Sequence, residues 1–282
     1  MAWRYVAGES REEALGLVDR IRAAGFRVTV DVLGENAASE EEVREAVEEY
    51  LGLVDDLAER GPGAEASVKP THVGLRISED LAAESLEAIA ARAESKGVGL
   101  ALDMEDSSAT DATLRLYRGL RARHGRVGVA IQACLKRSAG DVEALLRLRP
   151  SVRVCKGIYV EPAHLVVAGR EAVRENFAHL VERLLDGGAF VAVATHDAQL
   201  VERALGAVER RGAEGSHEFQ MLLGVGDALR GRILSRGSPI RLYCPYGPRW
   251  YDYSLRRLRE NPKLFGAVLR GVLRRGRSPL RN

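Results

Sequence analysis

Eight repeats of one unit constrain the fold more than any other feature of this 282-residue sequence. In each unit, a short apolar run rich in valine and isoleucine precedes a longer charged segment with helical periodicity. The runs lie at 27–33, 66–70, 98–104, 127–133, 152–157, 190–196, 216–222 and 240–244. Nearly continuous apolar strands are typical of a parallel sheet that is buried on both faces. Units of about 25–40 residues match a (β/α)₈ barrel, which the pattern therefore predicts.

Amphipathic segments between the runs support the helical half of this pattern. Residues 39–61 and 170–188 carry apolar side chains at helical spacing and end near glycines, which cap helices at low steric cost. No low-complexity linker divides the chain, so we expect one domain over residues 1–282. The competing architecture, an open doubly wound sheet, usually carries a G-x-G-x-x-G motif after its first strand, and none occurs there.

The composition argues against several classes of protein. A formal net charge of +2 predicts no general attraction to nucleic acid. No apolar run is long enough to span a bilayer, and three widely spaced cysteines favour a reducing compartment over a disulfide framework. We therefore expect a cytoplasmic protein. The basic tail at 270–281 could make a peripheral contact with the inner face of the membrane, and that alternative stays open. The sequence predicts no oligomeric state.

Polar side chains end or follow all eight predicted strands. They are Glu35, Lys69, Asp103, Glu105, Gln132, Arg153, Lys156, Thr195, His196, Asp197, Glu218, Gln220 and Tyr243. Because the carboxyl ends of barrel strands form the active site of such folds, we expect these side chains to meet in one polar cup. Unpaired buried polar groups cost about 1–3 kcal/mol each, so the cup implies a ligand or a dense hydrogen-bond network.

The chemistry favours an anionic ligand, because the positive groups outnumber the clustered carboxylates; these positive groups are Lys69, Arg153, Lys156, Arg256 and Arg257. His196 is alone on its strand, so we expect it to donate a hydrogen bond rather than to bind a metal. The sequence lacks the G-x-S-x-G elbow that would predict a hydrolase. The chemistry would therefore fall to an organic cofactor. Lys156 leaves a Schiff-base lyase open, beside the simpler alternative that it binds phosphate or ribose groups.

A segment near the C-terminus carries an unusual helix face. Tyr253, Arg256, Arg257 and Glu260 fall at i, i+3, i+4 and i+7, which places them on one side of a helix. The proline at 262 ends that helix, because the residue before a proline is driven out of the α region. Glu260 lies one turn from two adjacent arginines and offsets part of their repulsion. The face is typical neither of a core nor of a solvated surface.

Eight ordered motifs resemble those of the monofunctional bacterial proline dehydrogenase family. They are RYVAGES (4–10), SVKPTHVGL (67–75), LDMEDS (102–107), IQACLKR (131–137), VRVCKGIY (152–159), ATHD (194–197), HEFQMLLG (217–224), and YCPYG with YSLRRLRE (243–260). The resemblance implies a distorted (βα)₈ barrel that binds FAD, with its last helix over the carboxyl ends of the strands. It also implies oxidation of L-proline to 1-pyrroline-5-carboxylate by hydride transfer to flavin N5, the first step of proline catabolism to glutamate. The electrons would pass to a quinone or another acceptor.

The resemblance also implies a role for each matching residue. Asp103 and Arg153 would form the catalytic pair, and FAD would contact Met104, Gln132, Lys156, Gly157, Ile158, Thr195 and His196. Lys69, Arg256 and Arg257 would surround the proline carboxylate, while Leu222, Tyr243 and Tyr253 would pack on the pyrrolidine ring. Glu35 would close over the site by pairing with Arg256, and Glu260 would brace the arginine pair.

Three points stay open at the level of sequence. Ile158 and Asp197 depart from the usual family residues, and Asp197 adds a negative charge beside the expected FAD contacts. No residue is assigned as the acceptor of the proton that the substrate amine must lose, and no metal is expected. A barrel that binds an amino acid as a sensor, without turnover, is the alternative that is not an enzyme.

Overall fold

The structure is a computed structural model, and it describes residues 5–250. Within this range, eight strands alternate with eight α-helices. The strands are β1 (Arg27–Val32), β2 (Ala64–Val68), β3 (Gly99–Leu102), β4 (Val127–Gln132), β5 (Ser151–Cys155), β6 (Phe190–Ala194), β7 (His217–Leu222) and β8 (Ile240–Tyr246). The helices are α1 (Arg11–Ala23), α2 (Glu40–Glu59), α3 (Glu79–Lys96), α4 (Thr110–Arg121), α5 (Ser138–Leu146), α6 (Arg170–Asp186), α7 (Ala198–Arg211) and α8 (Asp227–Ser235). Short 3₁₀ helices occur at Pro70–Val73 and Glu214–Ser216.

The sheet closes on itself. Each strand pairs in parallel with the next, and β8 pairs with β1, from Arg27 opposite Arg241 to Val32 opposite Tyr246. The predicted (β/α)₈ barrel is therefore confirmed, and each predicted strand overlaps an observed one. The helix expected over the carboxyl ends of the strands lies outside the described residues, and the single domain over residues 1–282 stays a prediction.

Several strands end earlier than the sequence pattern predicted. β2 ends at Val68 and β3 ends at Leu102, so Lys69 and Asp103 begin loops instead of ending strands. The cause at Lys69 is local, because Pro70 has no N–H to offer to the ladder and starts a 3₁₀ turn. These polar side chains therefore lie at the rim of the barrel.

The hydrophobic core fills the space between the strands and the helices. Alternate strand residues such as Val28 and Val30 are completely buried on the outer face of the barrel. Apolar stripes of the helices, including Leu53 and Leu57 of α2, belong to the same buried cluster. Full burial of one such side chain contributes about 1.5–3 kcal/mol. The core is thus a shell around the barrel, and it leaves the barrel interior to other residues.

Side-chain caps fix the start of several helices. Ser10, Ser39 and Ser78 each accept a hydrogen bond from the backbone N–H three residues later, at 3.1–3.2 Å. Asp197 caps α7 by accepting from the N–H of Gln199 at 3.1 Å. A cap of this kind contributes about 1 kcal/mol, because it satisfies an otherwise unpaired donor. The cap of α7 is also part of the candidate site.

Ion pairs link consecutive helices around the outside of the barrel. Most join an arginine on or just after one helix to a carboxylate on the preceding helix. They include Arg92–Asp55, Arg115–Glu79, Arg137–Asp111, Arg183–Glu143, Arg203–Glu175, Arg211–Asp186 and Arg236–Glu209, and Arg11–Asp56 joins α1 to α2. We call this set the helix-shell ion pairs. Each is partly exposed to solvent, so each contributes little by itself.

Candidate active site

Charged and polar side chains fill the interior of the barrel and form one connected network of hydrogen bonds and ion pairs, which we call the barrel network. Because parallel strands share one direction, residues later in each strand lie nearer the carboxyl-end opening, or mouth. The mouth half contains Asp31, Ser67, Lys69, Asp103, Arg153, Gln220 and Tyr243, and the floor half contains Thr29, Glu65, Glu218 and Arg241. Most of these side chains are buried, so their charges must be balanced within the network.

Asp103 is the central acceptor of the mouth half. Its Oδ1 accepts from the hydroxyl of Ser67 at 2.7 Å and from Arg153, and its Oδ2 accepts from the hydroxyl of Tyr243 at 2.8 Å. The Nζ of Lys69 lies 3.8 Å from Oδ2. Although burial alone would raise it, Arg153 and Lys69 hold the pKa of the Asp103 carboxyl below its usual value. Asp103 is therefore an ionised group whose two oxygens are fixed in direction.

Arg153 is held from three sides. Its Nε donates to the side-chain oxygen of Gln220 at 2.6 Å, its Nη2 donates to Glu65 at 3.1 Å, and its Nη1 contacts Asp103. The guanidinium carbon also lies 5.4 Å from the centre of the Tyr243 ring, within reach of a cation–π interaction. The two residues predicted as the catalytic pair are therefore in contact, and Arg153 offers a cation of fixed orientation. Their catalytic roles stay a prediction.

The floor of the barrel is organised by Glu218, which is 1% exposed. Its oxygens accept from Arg241 at 2.5 and 3.2 Å, from Arg27 at 2.9 Å and from the side-chain amide of Gln220 at 2.9 Å. Although burial alone would raise it, Arg241 holds the pKa of Glu218 below its usual value. Gln220 thus donates to Glu218 and accepts from Arg153, which fixes its amide. Glu218, expected in the cup at the strand ends, instead lies at the opposite end of the barrel.

Lys69 and Asp31 form a close ion pair in the mouth half. The Nζ of Lys69 lies 2.6 Å from Oδ1 of Asp31, and Asp31 is completely buried. Burial alone would lower the pKa of Lys69, but the negative charges of Asp31 and Asp103 raise it. Burial raises the pKa of Asp31, although the nearby lysine acts in the opposite direction. Asp31 was not among the site residues predicted from the sequence. Its signal was a carboxylate inside an apolar strand, two residues after Thr29 and therefore on the same inner face.

A second charged cluster lies beyond β5 and β6. Oδ2 of Asp197 accepts from Lys156 Nζ at 2.6 Å and from Arg174 Nε at 2.7 Å. Although burial alone would raise it, these two hydrogen bonds lower the pKa of Asp197 to about 2. The extra negative charge noted in the sequence is therefore balanced by two cations. Arg174 was missed because it lies on α6, where its spacing is that of an ordinary helix residue.

Gly157 follows β5 with a backbone conformation that disfavours side chains. Its φ is +97°, and a Cβ built at this position would overlap Sγ of Cys134 and lie 3.1 Å from the side-chain oxygen of Gln132. Gln132 is itself fixed, because its amide donates to the backbone oxygen of Glu105 at 2.8 Å. The next residue, Ile158, is 43% exposed. Only a glycine therefore fits at this turn, which holds the loop closely against Cys134 and beside the fixed amide of Gln132.

The loop after β6 is joined to the end of β7. The backbone N–H of Leu222 donates to Nε2 of His196 at 3.1 Å, and the Thr195 hydroxyl accepts from the N–H of Asp197 at 3.1 Å. His196 was expected to donate a hydrogen bond, but its Nε2 is an acceptor, so in the neutral ring only Nδ1 carries a proton. Met104, another predicted FAD contact, is buried just after β3.

Some predicted site residues are not brought to the site by the described structure. Glu35 lies half-buried in the loop after β1. Its expected partner Arg256 lies outside the described residues, as do Tyr253, Arg257 and Glu260, so closure by the last helix stays a prediction. Across residues 5–250, no group of three or more His, Cys, Asp or Glu side chains is placed to hold a metal ion. No helix in the same range has the length and apolar character needed to cross a membrane.

A closed (β/α)₈ barrel with a fixed set of charged groups at its mouth defines the class of TIM-barrel enzymes. The family model described as proline dehydrogenase matches residues 14–268. The chain is 36% identical to proline dehydrogenase 1 of Bacillus subtilis (strain 168) over 275 residues, covering 97% of this chain and 91% of that protein. It is 34% identical to the proline dehydrogenase of Deinococcus radiodurans over 280 residues, covering 97% and 90%. The chain belongs to the proline dehydrogenase family, which confirms the resemblance and the prediction of an enzyme.

Solved structures share the same barrel. Proline utilization A from Bdellovibrio bacteriovorus, inactivated by N-propargylglycine, superposes with a TM-score of 0.86 and 26% identity over 92% of this chain. A variant of proline utilization A from Bradyrhizobium japonicum gives a TM-score of 0.80 at 22% identity over 93% of this chain. This chain covers 32% and 31% of those longer proteins, so it spans about a third of their length.

Proposed function

We propose that this protein is an FAD-dependent dehydrogenase that oxidises L-proline to 1-pyrroline-5-carboxylate, the first step of proline catabolism to glutamate. The observation that carries the proposal is the contact of Asp103 with Arg153, Lys69 and Tyr243 at the mouth of the barrel, in a chain of the proline dehydrogenase family. This contact places a fixed cation, a second cation and a phenol around one opening. Such a set suits a small zwitterion that must be bound and oriented.

The charge balance of the mouth supports binding of the substrate carboxylate by further cations. Asp31, Lys69, Asp103 and Arg153 carry two negative and two positive charges, so their sum is zero. A carboxylate taken from water needs charge-assisted hydrogen bonds, which planar guanidinium groups supply best. Lys69 can offer one donor. The expected arginines of the last helix, at 256 and 257, would supply the positive charge that the described residues lack.

The residues beyond β5 and β6 fit the proposed cofactor. The fixed amide of Gln132 can orient a planar group, and the glycine turn at Gly157 holds the following loop beside it. Lys156 and Arg174 provide cations near the N-terminus of α7, and that arrangement suits the phosphates of a dinucleotide. When bound, FAD would accept a hydride at its N5 atom. Arg153 would hold positive charge at the mouth, which stabilises negative charge that develops on the acceptor.

Lys156 is poorly placed for the alternative lyase chemistry. A Schiff-base lysine is activated by an apolar pocket or by a neighbouring cation without a counter-ion. Here the Lys156 ammonium is 2.6 Å from Asp197, which also binds Arg174, so the lysine belongs to a balanced ion cluster. The arrangement therefore supports a binding role for Lys156 over a nucleophilic one.

Further parts of the proposal follow from the sequence. Electrons would leave the reduced flavin for a quinone or another acceptor. We propose a cytoplasmic protein, with the basic tail at 270–281 available for peripheral contact with the inner face of the membrane. One barrel domain over residues 1–282 would carry the activity.

Anaerobic titration of the purified holoenzyme with L-proline tests the proposed function. The flavin absorbance should bleach with L-proline, and Arg257→Met should raise KM far more than it lowers flavin content. Arg118→Met, on an exposed position of α4, is the matched control and should change neither. Bound flavin that L-proline never reduces would support the sensor instead. A colourless protein that borohydride and a carbonyl substrate modify at Lys156 would support the lyase.

A further inference from the structure

One carboxylate of the barrel network is buried without a full set of partners. Asp31 is 0% exposed, and its Oδ1 lies 2.6 Å from the Nζ of Lys69. Its Oδ2 has no hydrogen-bond partner among the described residues. A buried charged oxygen without a partner is costly, and the cost disappears if the carboxyl takes up a proton. Asp31 is therefore built to exist in two protonation states.

Asp31 and Asp103 lie on either side of Lys69 in unequal environments. Asp103 is bonded to Arg153, Ser67 and Tyr243, and these cationic and polar partners keep it ionised. The pKa of Asp31 is raised, by burial first and also by the negative charge of Asp103, although Lys69 and Tyr243 act in the opposite direction. The titratable groups that face Asp31 are Lys69 after β2, Asp103 after β3, Tyr243 and Tyr246 of β8, and Tyr50 of α2. Two carboxylates with pKa values pushed apart divide the ionised and proton-accepting roles between them.

The proposed reaction requires a proton acceptor that nothing above assigns. L-Proline in water carries a protonated amine. A hydride can leave the ring carbon only when the nitrogen lone pair is free to form the carbon–nitrogen double bond, so the ammonium must first lose a proton. An acceptor of that proton must lie near the substrate carboxylate, because the amine and the carboxylate share one carbon atom.

We propose that Asp31 takes up the proton of the substrate amine and that Lys69 carries it. Lys69 passes one proton from Nζ to Oδ1 of Asp31 and receives one from the substrate ammonium. One N–H bond of the substrate breaks, one O–H bond forms on Asp31, and the charge of Lys69 is unchanged. No electrons are exchanged in this step. Neutral Asp31 no longer offsets Lys69, so the lysine attracts the substrate carboxylate more strongly. The inference rests on the proposed function.

The pH dependence of Asp31→Asn distinguishes this role from a structural one. Asparagine keeps the shape, and Asp103, 3.8 Å from Nζ, helps to keep Lys69 charged. We expect kcat/KM for L-proline to fall by about 100-fold near neutral pH, as for loss of a general base. The deficit should shrink by about tenfold per pH unit, because the variant can use only the neutral amine. Asp31→Glu keeps a carboxylate and should keep the wild-type profile. A deficit that is constant with pH overturns the proposal.

Two binding measurements complete the test. Tetrahydrofuran-2-carboxylate has an ether oxygen in place of the amine, so Asp31→Asn holoenzyme should bind it at least as tightly as the wild type in calorimetry. Loss of that binding would make Asp31 a structural residue and overturn the role. A measurement on the wild type does not depend on the folding of any variant. Anaerobic L-proline should produce the infrared carbonyl band of a protonated carboxylic acid, and the ether should produce no such band. Absence of the band also overturns it.

The inference and the proposed function fail in different ways. If L-proline never reduces the flavin of the wild-type enzyme, the proposed function fails, and the role of Asp31 fails with it. If L-proline reduces the flavin while the Asp31→Asn deficit is constant with pH, only the role of Asp31 fails.

Discussion

Glu218→Gln should destabilise the protein strongly although it hardly changes the shape of the side chain. The oxygens of Glu218 accept hydrogen bonds from Arg241, Arg27 and Gln220 at the floor of the barrel. Glutamine loses the negative charge and turns one acceptor into a donor, which then faces donors on its neighbours. The substitution therefore leaves the buried guanidinium of Arg241 without the carboxylate that accepts its hydrogen bonds, while Glu65 remains as a more distant negative charge.

The size of the loss can be worked from the surroundings of the two arginines. Removal of one partner from a buried ion pair costs about 3–5 kcal/mol. Arg241 keeps the backbone oxygens of Val28 at 2.7 Å and Gly63 at 3.1 Å, and the Arg27 side chain is 44% exposed and so remains hydrated. Both facts favour the lower end, about 3 kcal/mol. That is a large share of the roughly 5–15 kcal/mol by which a folded domain is stable.

Urea unfolding at neutral pH measures this loss against a matched control. Glu202→Gln removes a carboxylate that lies 3.2 Å from Arg232 on the surface, with side chains 44% and 57% exposed. Such an exposed pair contributes about 1 kcal/mol at most. The reasoning is refuted if both variants lose the same stability at unchanged slope.

The pH dependence of Glu218 has a definite sign. Its pKa is lower in the folded protein than the ordinary 4.5, so its stabilising contribution is fully present above that value. The contribution is lost as the pH falls through the folded pKa. The difference in the free energy of unfolding between wild type and Glu218→Gln should therefore be constant from neutral to mildly acid pH. It should shrink only at lower pH.

Two further substitutions test the region beyond β5 and β6. Asp197→Asn keeps the cap of α7 but removes the counter-ion of Lys156. It should therefore lower the free energy of unfolding by about 1–2 kcal/mol at neutral pH after solvent screening. In urea unfolding this difference should hold above about pH 4 and vanish as the pH falls through about 2, since the pKa of Asp197 is about 2. Gly157→Ala should cost more than about 1 kcal/mol and lower flavin content, because a side chain at φ +97° is strained and meets Cys134. Gly231→Ala in α8, where a Cβ meets nothing within 4 Å, should instead stabilise by about 0.5–1 kcal/mol, and equal effects of the two alanines on urea midpoints would contradict the reasoning.

The fold was predictable because its period is written in the sequence. Strands buried on both faces need apolar residues almost throughout, and the helices between them need a stripe at helical spacing. The exact strand ends were not predictable. Lys69 and Asp103 follow apolar runs and look like strand residues, but β2 and β3 end just before them. The last hydrogen bond between these strands runs from the N–H of Asp103 to the backbone oxygen of Val68, and only the tertiary structure decides where that ladder ends.

The site was predictable only where its residues lie at strand ends. Asp103 and Arg153 stood out there, and their assignment as a pair came from the family resemblance. Asp31 lies inside a strand, and its meeting with Lys69 depends on the pairing of β1 with β2. Glu218 and Gln220 share one face of β7. The strand rises about 6–7 Å over two residues, which is enough to separate the floor from the mouth.

The helix-shell ion pairs suggest how the outer layer tolerates change. The chain has 42 basic residues, of which five are lysines, so arginine dominates these links. Charged groups lose less by leaving water as temperature rises, so such a distributed set gains relative weight in warm conditions, whereas added salt weakens all its members together. Because each link is small, any one can be replaced in evolution at little cost. We therefore expect sequence drift to accumulate on the outside, whereas most interior charges have several partners and should tolerate substitution less.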